Sequence, residues 1–156
     1  MIIRAGVKED LPQVFDLIKE LAEYEKAPHE VDNSLESMEE DGFGPVPVFG
    51  FHVAEVDNKI IGISLYYYRY STWKGKCLYL EDLVVNENYR GSGIGKKLFD
   101  ATVLVALETG CRQLNWQVLD WNEPAINFYK KLDAHFDGEW INCRLTHQQL
   151  SNYTAK

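Results

Sequence analysis

Leu78-Tyr79-Leu80-Glu81-Asp82-Leu83-Val84-Val85, the turn Asn86-Glu87-Asn88-Tyr89, and then Arg90-Gly91-Ser92-Gly93-Ile94-Gly95-Lys96-Lys97-Leu98 form the stretch on which the fold turns. An apolar, β-rich run carrying two carboxylates gives way to polar turn residues, and a glycine-rich loop then opens a helical pattern. The start of a helix exposes backbone N–H groups and a partial positive charge, and both favour anions. Glycines at alternate positions remove the Cβ atoms that would keep a phosphate off that backbone. They also permit the positive φ angles that turn several N–H groups inward. The stretch reads as a pyrophosphate cradle on a strand–loop–helix unit; standing alone, the pattern also fits a glycine-rich turn with no ligand.

The spacing narrows the kind of cradle. A P-loop needs Gly-Lys followed by Ser or Thr, and Lys96 is followed by Lys97. A Rossmann fingerprint spaces its glycines G-x-G-x-x-G, whereas Gly91, Gly93 and Gly95 stand at alternate positions. What remains is Arg-x-x-Gly-x-Gly from Arg90 to Gly95, which resembles the acyl-CoA loop of the Gcn5-related N-acetyltransferases. The resemblance implies acetyl-CoA as cosubstrate, held by Arg90, Gly91, Ser92, Gly93, Ile94, Gly95 and Lys96.

The composition bounds the answer from outside. A chain of 156 residues fits a single domain, 1–156, large enough to bury about 68–70% of its unfolded surface without staples. No apolar run of about 18 residues exists, and Met1-Ile2-Ile3-Arg4 lacks a signal-peptide layout, so no membrane association is expected. Cys77, Cys111 and Cys143 are odd in number and widely spaced, which suits a reducing cytoplasm and small buried side chains. Four histidines show no metal-ligand spacing, and no metal site is expected. The formal net charge of −8 argues against nucleic acid and is compatible with a cationic small substrate.

Periodicity orders the elements as β-α-α-β-β-β-α-β-α-β, an α/β domain whose mixed sheet begins antiparallel and is flanked by helices. Strand 2–5 precedes an amphipathic helix through Leu11, Val14, Phe15, Ile18, Leu21 and Ala22. A second helix covers 34–40 with Ser34 as N-cap, and 41–47 is loop. Strands 49–56 and 59–70 meet at an Asp57-Asn58 hairpin, and the central strand covers 77–85. The helix after the glycines runs to about Glu108, with Gly110 as its stop. A strand at 113–119, a helix at 123–132 and a last strand at 139–145 complete the chain. The same element order is expected of the Gcn5-related fold, with a mostly antiparallel twisted sheet, and the resemblance covers nearly the whole chain.

Three further segments narrow the resemblance. Tyr68-Arg69-Tyr70-Ser71-Thr72-Trp73-Lys74-Gly75 precedes Tyr79-Leu80-Glu81-Asp82; Leu119-Asp120-Trp121-Asn122-Glu123-Pro124 precedes Ala125-Ile126-Asn127-Phe128-Tyr129; and Ile18-Lys19-Glu20-Leu21-Ala22-Glu23-Tyr24-Glu25-Lys26 stands near the N-terminus. Together they look like the spermidine/spermine N1-acetyltransferase family, and in particular its thialysine branch. Polyamine-specific members carry an aspartate at the position of Ser71, so a compact amine suits this chain better than a long polycation. A second departure is Asp133-Ala134 where the family usually has Gly-Ala, which bears on the shape of that loop.

Acetyl transfer from a thioester to an amine needs a neutral nucleophile, a polarised carbonyl and a proton for the departing thiolate. An amine of pKa near 10.4 is neutral in only about one molecule in 2,500 at pH 7, so a general base adds directly to rate. Side chains alternate along a strand, so Glu81 and Asp82 point to opposite faces unless a bulge intervenes. By resemblance, Glu81 contacts the amine and Tyr129 protonates the thiolate. An ordinary ion-paired carboxylate and an ordinary core aromatic are the respective alternatives. The resemblance also implies Leu83, Val84, Val85, Asn122, Glu123, Pro124, Ala125 and Phe128 as cofactor-binding residues. It implies Tyr24, Glu25, Trp73, Glu81 and Asp82 as substrate-binding residues, and a homodimer. Tyr66, Tyr67, Tyr68 and Tyr70 read as packing or interface residues. A non-catalytic CoA-binding sensor and a protein-lysine acetyltransferase are the competing functions.

Overall fold

The computed structural model describes residues 1–154, which divide into two compact units, one spanning Met1–Gln117 and the other beginning at Val118. The first unit is built on a five-stranded sheet in the order β1-β2-β3-β4-β5: β1 Ile2–Ala5, β2 Gly50–Val56, β3 Lys59–Ser71, β4 Gly75–Val85 and β5 Leu114–Asn115. All pairings are antiparallel except β4 with β5, which is parallel. The β2–β3 hairpin turns on Asp57 and Asn58 at φ +50 and +62, the left-handed pair that such a tight turn demands.

Helices α1, Leu11–Tyr24, and α2, Leu35–Phe43, cover one face of the sheet; α3, Ile94–Glu108, covers the other. Leu11, Val14 and Leu17 from α1 and Met38 from α2 form one core with Phe51, Val53, Ile63, Leu65 and Val84. Ile94 and Leu98 from α3 pack with Ala54 and Ile61 on the opposite face. Within that second layer the buried Thr102 hydroxyl reaches Ser64 Oγ at 3.0 Å and the Leu98 carbonyl at 3.1 Å, which ties α3 to β3. Ser34 caps α2 by accepting from Ser37 N–H, as its position suggests.

Several expectations are corrected. α2 continues through Phe43, beyond the expected stop at 40, because the Phe43 ring packs edge-on against Phe51 at 6.1 Å. The strand expected over 113–119 is only Leu114–Asn115. The last strand, 139–145, does not form among the described residues: Trp140 and Ile141 are largely exposed, and alternation alone gives no ladder without a neighbouring edge. Of the three cysteines expected to be buried, Cys77 is, Cys111 is half-buried and Cys143 is exposed.

The second unit holds α4, Glu123–Lys130, two residues shorter than expected, and a short helix α5, His147–Ser151, capped by Thr146. No helix among the described residues is long and apolar enough to cross a membrane.

Candidate active site

β4 carries the carboxylates and the approach to the glycine loop. Its register with β3 pairs Leu80 with Tyr66 and Asp82 with Leu65, so Glu81 is the extra residue of a β-bulge. The bulge resets the alternation: Asp82 lies on the face that Tyr79 shares with Tyr67 and Leu65, the α1 side of the sheet. Burial, reinforced by the negative charges of Glu81 and Glu25, pushes the Asp82 carboxyl up to about 7. Glu25, at the end of α1, is itself raised by burial. Burial, and then the negative charge of Glu81, push the Tyr67 phenol up to about 12.

Only the first part of β4 is covered by β5, at Leu78 and Tyr79. Beyond that point no strand pairs with the second edge of β4 among the described residues, which leaves the backbone near Leu83, Val84 and Val85 accessible to an extended ligand.

The chain next makes a 3₁₀ turn, Glu87–Tyr89, capped by Asn86, and enters the loop. Gly91 and Gly93 stand at φ +76 and +81, and a Cβ on either would meet no protein atom within 4 Å. Ser92 Oγ donates to the Tyr89 carbonyl at 2.5 Å. None of the N–H groups from Gly91 through Lys96 has a protein acceptor among the described residues; the first helical bond is Lys97 N–H to Gly93 O at 3.2 Å. Six N–H donors without a protein acceptor, beside two glycines with open space above them, fit a pyrophosphate.

Glu20 of α1, absent from the expected site, staples this loop. Its Oε2 accepts from Asn86 Nδ2 at 2.9 Å and its Oε1 from Glu87 N–H at 3.2 Å, and it lies 3.8 Å from the Arg90 guanidinium. Glu20 sits on the polar side of an amphipathic helix, where no local spacing separates a staple from an ordinary surface charge. Arg90 donates Nε to the Val85 carbonyl at 2.9 Å and stacks 5.0 Å over the Tyr24 ring. Arg90 thus braces the loop and Tyr24 at once, and Lys96 pairs with Asp100 at 2.6 Å. Trp73 stands apart, 85% exposed in the β3–β4 turn. Ser71 Oγ accepts from Trp73 N–H at 3.3 Å and Lys74 N–H at 3.1 Å and so shapes that turn.

In the second unit, Asn122 caps α4 by accepting from Ala125 N–H at 3.3 Å, with Glu123 and Pro124 in the first turn. Phe128 and Tyr129 form an edge-on ring pair at 5.2 Å. Tyr129 is buried, and burial pushes its phenol up to about 12, so it is protonated throughout the neutral range. The helix ends in a Schellman arrangement: Ala134 N–H bonds the Tyr129 carbonyl and Asp133 N–H the Lys130 carbonyl, with Asp133 at φ +55. Asp133 adopts the conformation a glycine would take, so the loop keeps its shape.

Comparison with known proteins assigns the chain to a family. The acetyltransferase (GNAT) family profile matches residues 11–134. The chain is 44% identical to thialysine N-epsilon-acetyltransferase of Mus musculus, covering 99% of this chain and 97% of that protein. It is 33% identical to spermidine/spermine N(1)-acetyltransferase-like protein 1 of Homo sapiens, over 95% of this chain and 23% of that much longer protein. Among solved structures, an aminoglycoside N-acetyltransferase in complex with CoA superposes with a TM-score of 0.75 at 20% identity, covering 92% of this chain and 93% of that one.

Proposed function

We propose, for a chain that belongs to the Gcn5-related N-acetyltransferases and within them to the spermidine/spermine N1-acetyltransferase family, that it transfers an acetyl group from acetyl-CoA directly to a short amine such as thialysine in a ternary complex. The observation that carries this is the form of β4: a strand with one free edge whose bulge turns Asp82 to the side of Glu25 and runs straight into the glycine cradle.

Acetyl-CoA supplies an acetyl group activated as a thioester. The N–H groups from Gly91 through Lys96 hold its phosphates, and the free edge at Leu83, Val84 and Val85 binds the extended arm and polarises the carbonyl. Asn122, Glu123, Pro124, Ala125 and Phe128 complete the cofactor contacts in the manner of the family. The ammonium of the acceptor is attracted by Glu25, Glu81 and Asp82, with Tyr24 and Trp73 contributing to the pocket. Glu81 contacts the amine. Asp82, tuned near neutrality, is suited to take the proton that must leave before the nitrogen can attack. Tyr129 keeps its phenolic proton until negative charge develops on sulfur and then donates it.

The chain acts as one catalytic domain in the cytoplasm, with neither nucleic acid nor membrane as partner, and as a homodimer. Tyr70, Trp140 and Ile141 are among the exposed apolar side chains available for association. The deciding measurement mixes protein, acetyl-CoA and a panel of amines and follows free thiol. Amine-dependent release that is fastest with thialysine or another short amine is expected. Release with spermine far ahead of the short amines would overturn the branch assignment, and CoA binding with no release would indicate a sensor.

A further inference from the structure

Three carboxylates account for the ammonium of an acceptor but not for the other end of a short substrate. On the same face of β3 and β4, Tyr67 and Tyr79 oppose each other in register, with ring centroids 5.2 Å apart and planes at 31°. This tyrosine rung lies between charges of opposite sign. Arg69 stands two residues along β3, opposite Cys77, with its guanidinium carbon 5.9 Å from the centre of the Tyr79 ring. Glu81 stands two residues along β4 in the other direction, close enough for its charge to act on both phenols. Strand geometry puts each charged residue's Cα about 6.7 Å from the rung. Both tyrosine phenols feel both charges, raised by Glu81 and lowered by Arg69. Arg90 and Lys96 are engaged with Glu20 and Asp100, whereas Arg69 is exposed and forms no ion pair among the described residues.

We propose that Arg69 anchors the carboxylate of the acceptor, so that the site selects ω-amino acids, amine toward Glu81, Asp82 and Glu25 and carboxylate toward Arg69, over diamines of the same length. This rests on the acetyltransferase reading above and specifies its substrate class. A guanidinium offers a carboxylate two parallel charge-assisted hydrogen bonds, which a carboxamide cannot match and a second ammonium repels. The tyrosine pair provides a floor for the apolar stem between the two ends, and a thioether stem gains sulfur–aromatic contact there.

The test compares three acceptors that share one stem: thialysine, its carboxamide, and bis(2-aminoethyl) sulfide, which lacks the carboxylate altogether. With the unmodified protein, kcat/KM for thialysine should exceed that for either analogue by roughly 10–100-fold. Arg69→Gln should collapse that ratio through the KM for thialysine, and Arg69→Lys should restore part of it. A ratio near one in the unmodified protein, or one that survives Arg69→Gln, overturns the role of Arg69 and leaves the acetyltransferase reading standing. No thiol release with any of the three acceptors overturns both. Because Arg69 is exposed, the variants should fold, and matching melting curves verify it.

Discussion

Gly93 immediately precedes α3 at φ +81, a conformation that a β-branched residue rarely adopts. The space above it is free of protein atoms, so the cost of Gly93→Val is confined to backbone strain in this surface loop, and both that strain and the added side chain oppose a phosphate there. CoA affinity should fall by about tenfold or more, a loss of at least ~1.4 kcal/mol readable by calorimetry. Unchanged affinity in the folded variant would rule the cradle out. Asp82 offers a pH signature. Its carboxyl is raised to about 7, so between its ordinary value of 3.8 and 7 the unfolded chain ionises while the folded one keeps the proton. The stability this group contributes is therefore full below its ordinary range and is lost as pH rises through about 7. Melting temperatures measured side by side should show the unmodified protein losing ground to Asp82→Asn between about pH 5 and pH 8. A constant difference across that range would contradict the shift. Tyr129→Phe removes a proton donor without altering packing volume, so kcat should drop by roughly 10²–10⁴-fold with acetyl-CoA binding little changed. A fully active variant would exclude the phenol as acid.

Two elements set the local geometry on which these side chains depend. β4 combines a bulge at Glu81 with an edge that no strand pairs beyond Tyr79 among the described residues, so the strand can present carboxylates on one face and backbone groups along its side. α4 ends with Asp133 in the left-handed conformation, within a Schellman arrangement that closes on the Tyr129 carbonyl. Aspartate tolerates φ +55 at a cost that glycine avoids. Asp133→Gly should therefore stabilise the protein by a few tenths to about 1 kcal/mol in denaturant unfolding, without altering turnover. Destabilisation would mean that the carboxylate makes a compensating contact. At the other end of the helix, Asn122→Ala should cost about 1 kcal/mol through the lost cap.

Charge and association belong to the molecule as a whole. A net charge of −8 surrounds a loop that carries Arg90, Lys96 and Lys97, so an acidic body attracts cationic acceptors while the cradle stays locally basic. Trp140 and Ile141, exposed at 74% and 87%, are costly to leave in water, and a homodimer would cover such groups. Light scattering at micromolar protein should report about twice the 18.0 kDa chain mass. A monomer would remove the dimer from the proposed function.

Features that arise from short-range physics were legible in the residue order alone. Residue period 2 or 3.6 marked the helices and most strands; Ser34 and Gly110 marked ends; and the alternating glycines marked the cradle, because each depends only on neighbouring backbone. The carboxylates at 81 and 82 could be named, but not their orientation, since a bulge exists only relative to the partner strand. The same limit hid Glu20, whose value lies in reaching residues 66 or more positions away, and the Tyr67–Tyr79 ring pair, which depends on strand register. It also explains the strand expected at 139–145: an alternating pattern states a preference, and a ladder needs an edge to pair with. Tertiary structure alone decided how far Asp82 shifts and that Arg69 stands beside the Tyr79 ring. Desolvation and long-range charge depend on what folds over a residue, not on its neighbours in the chain.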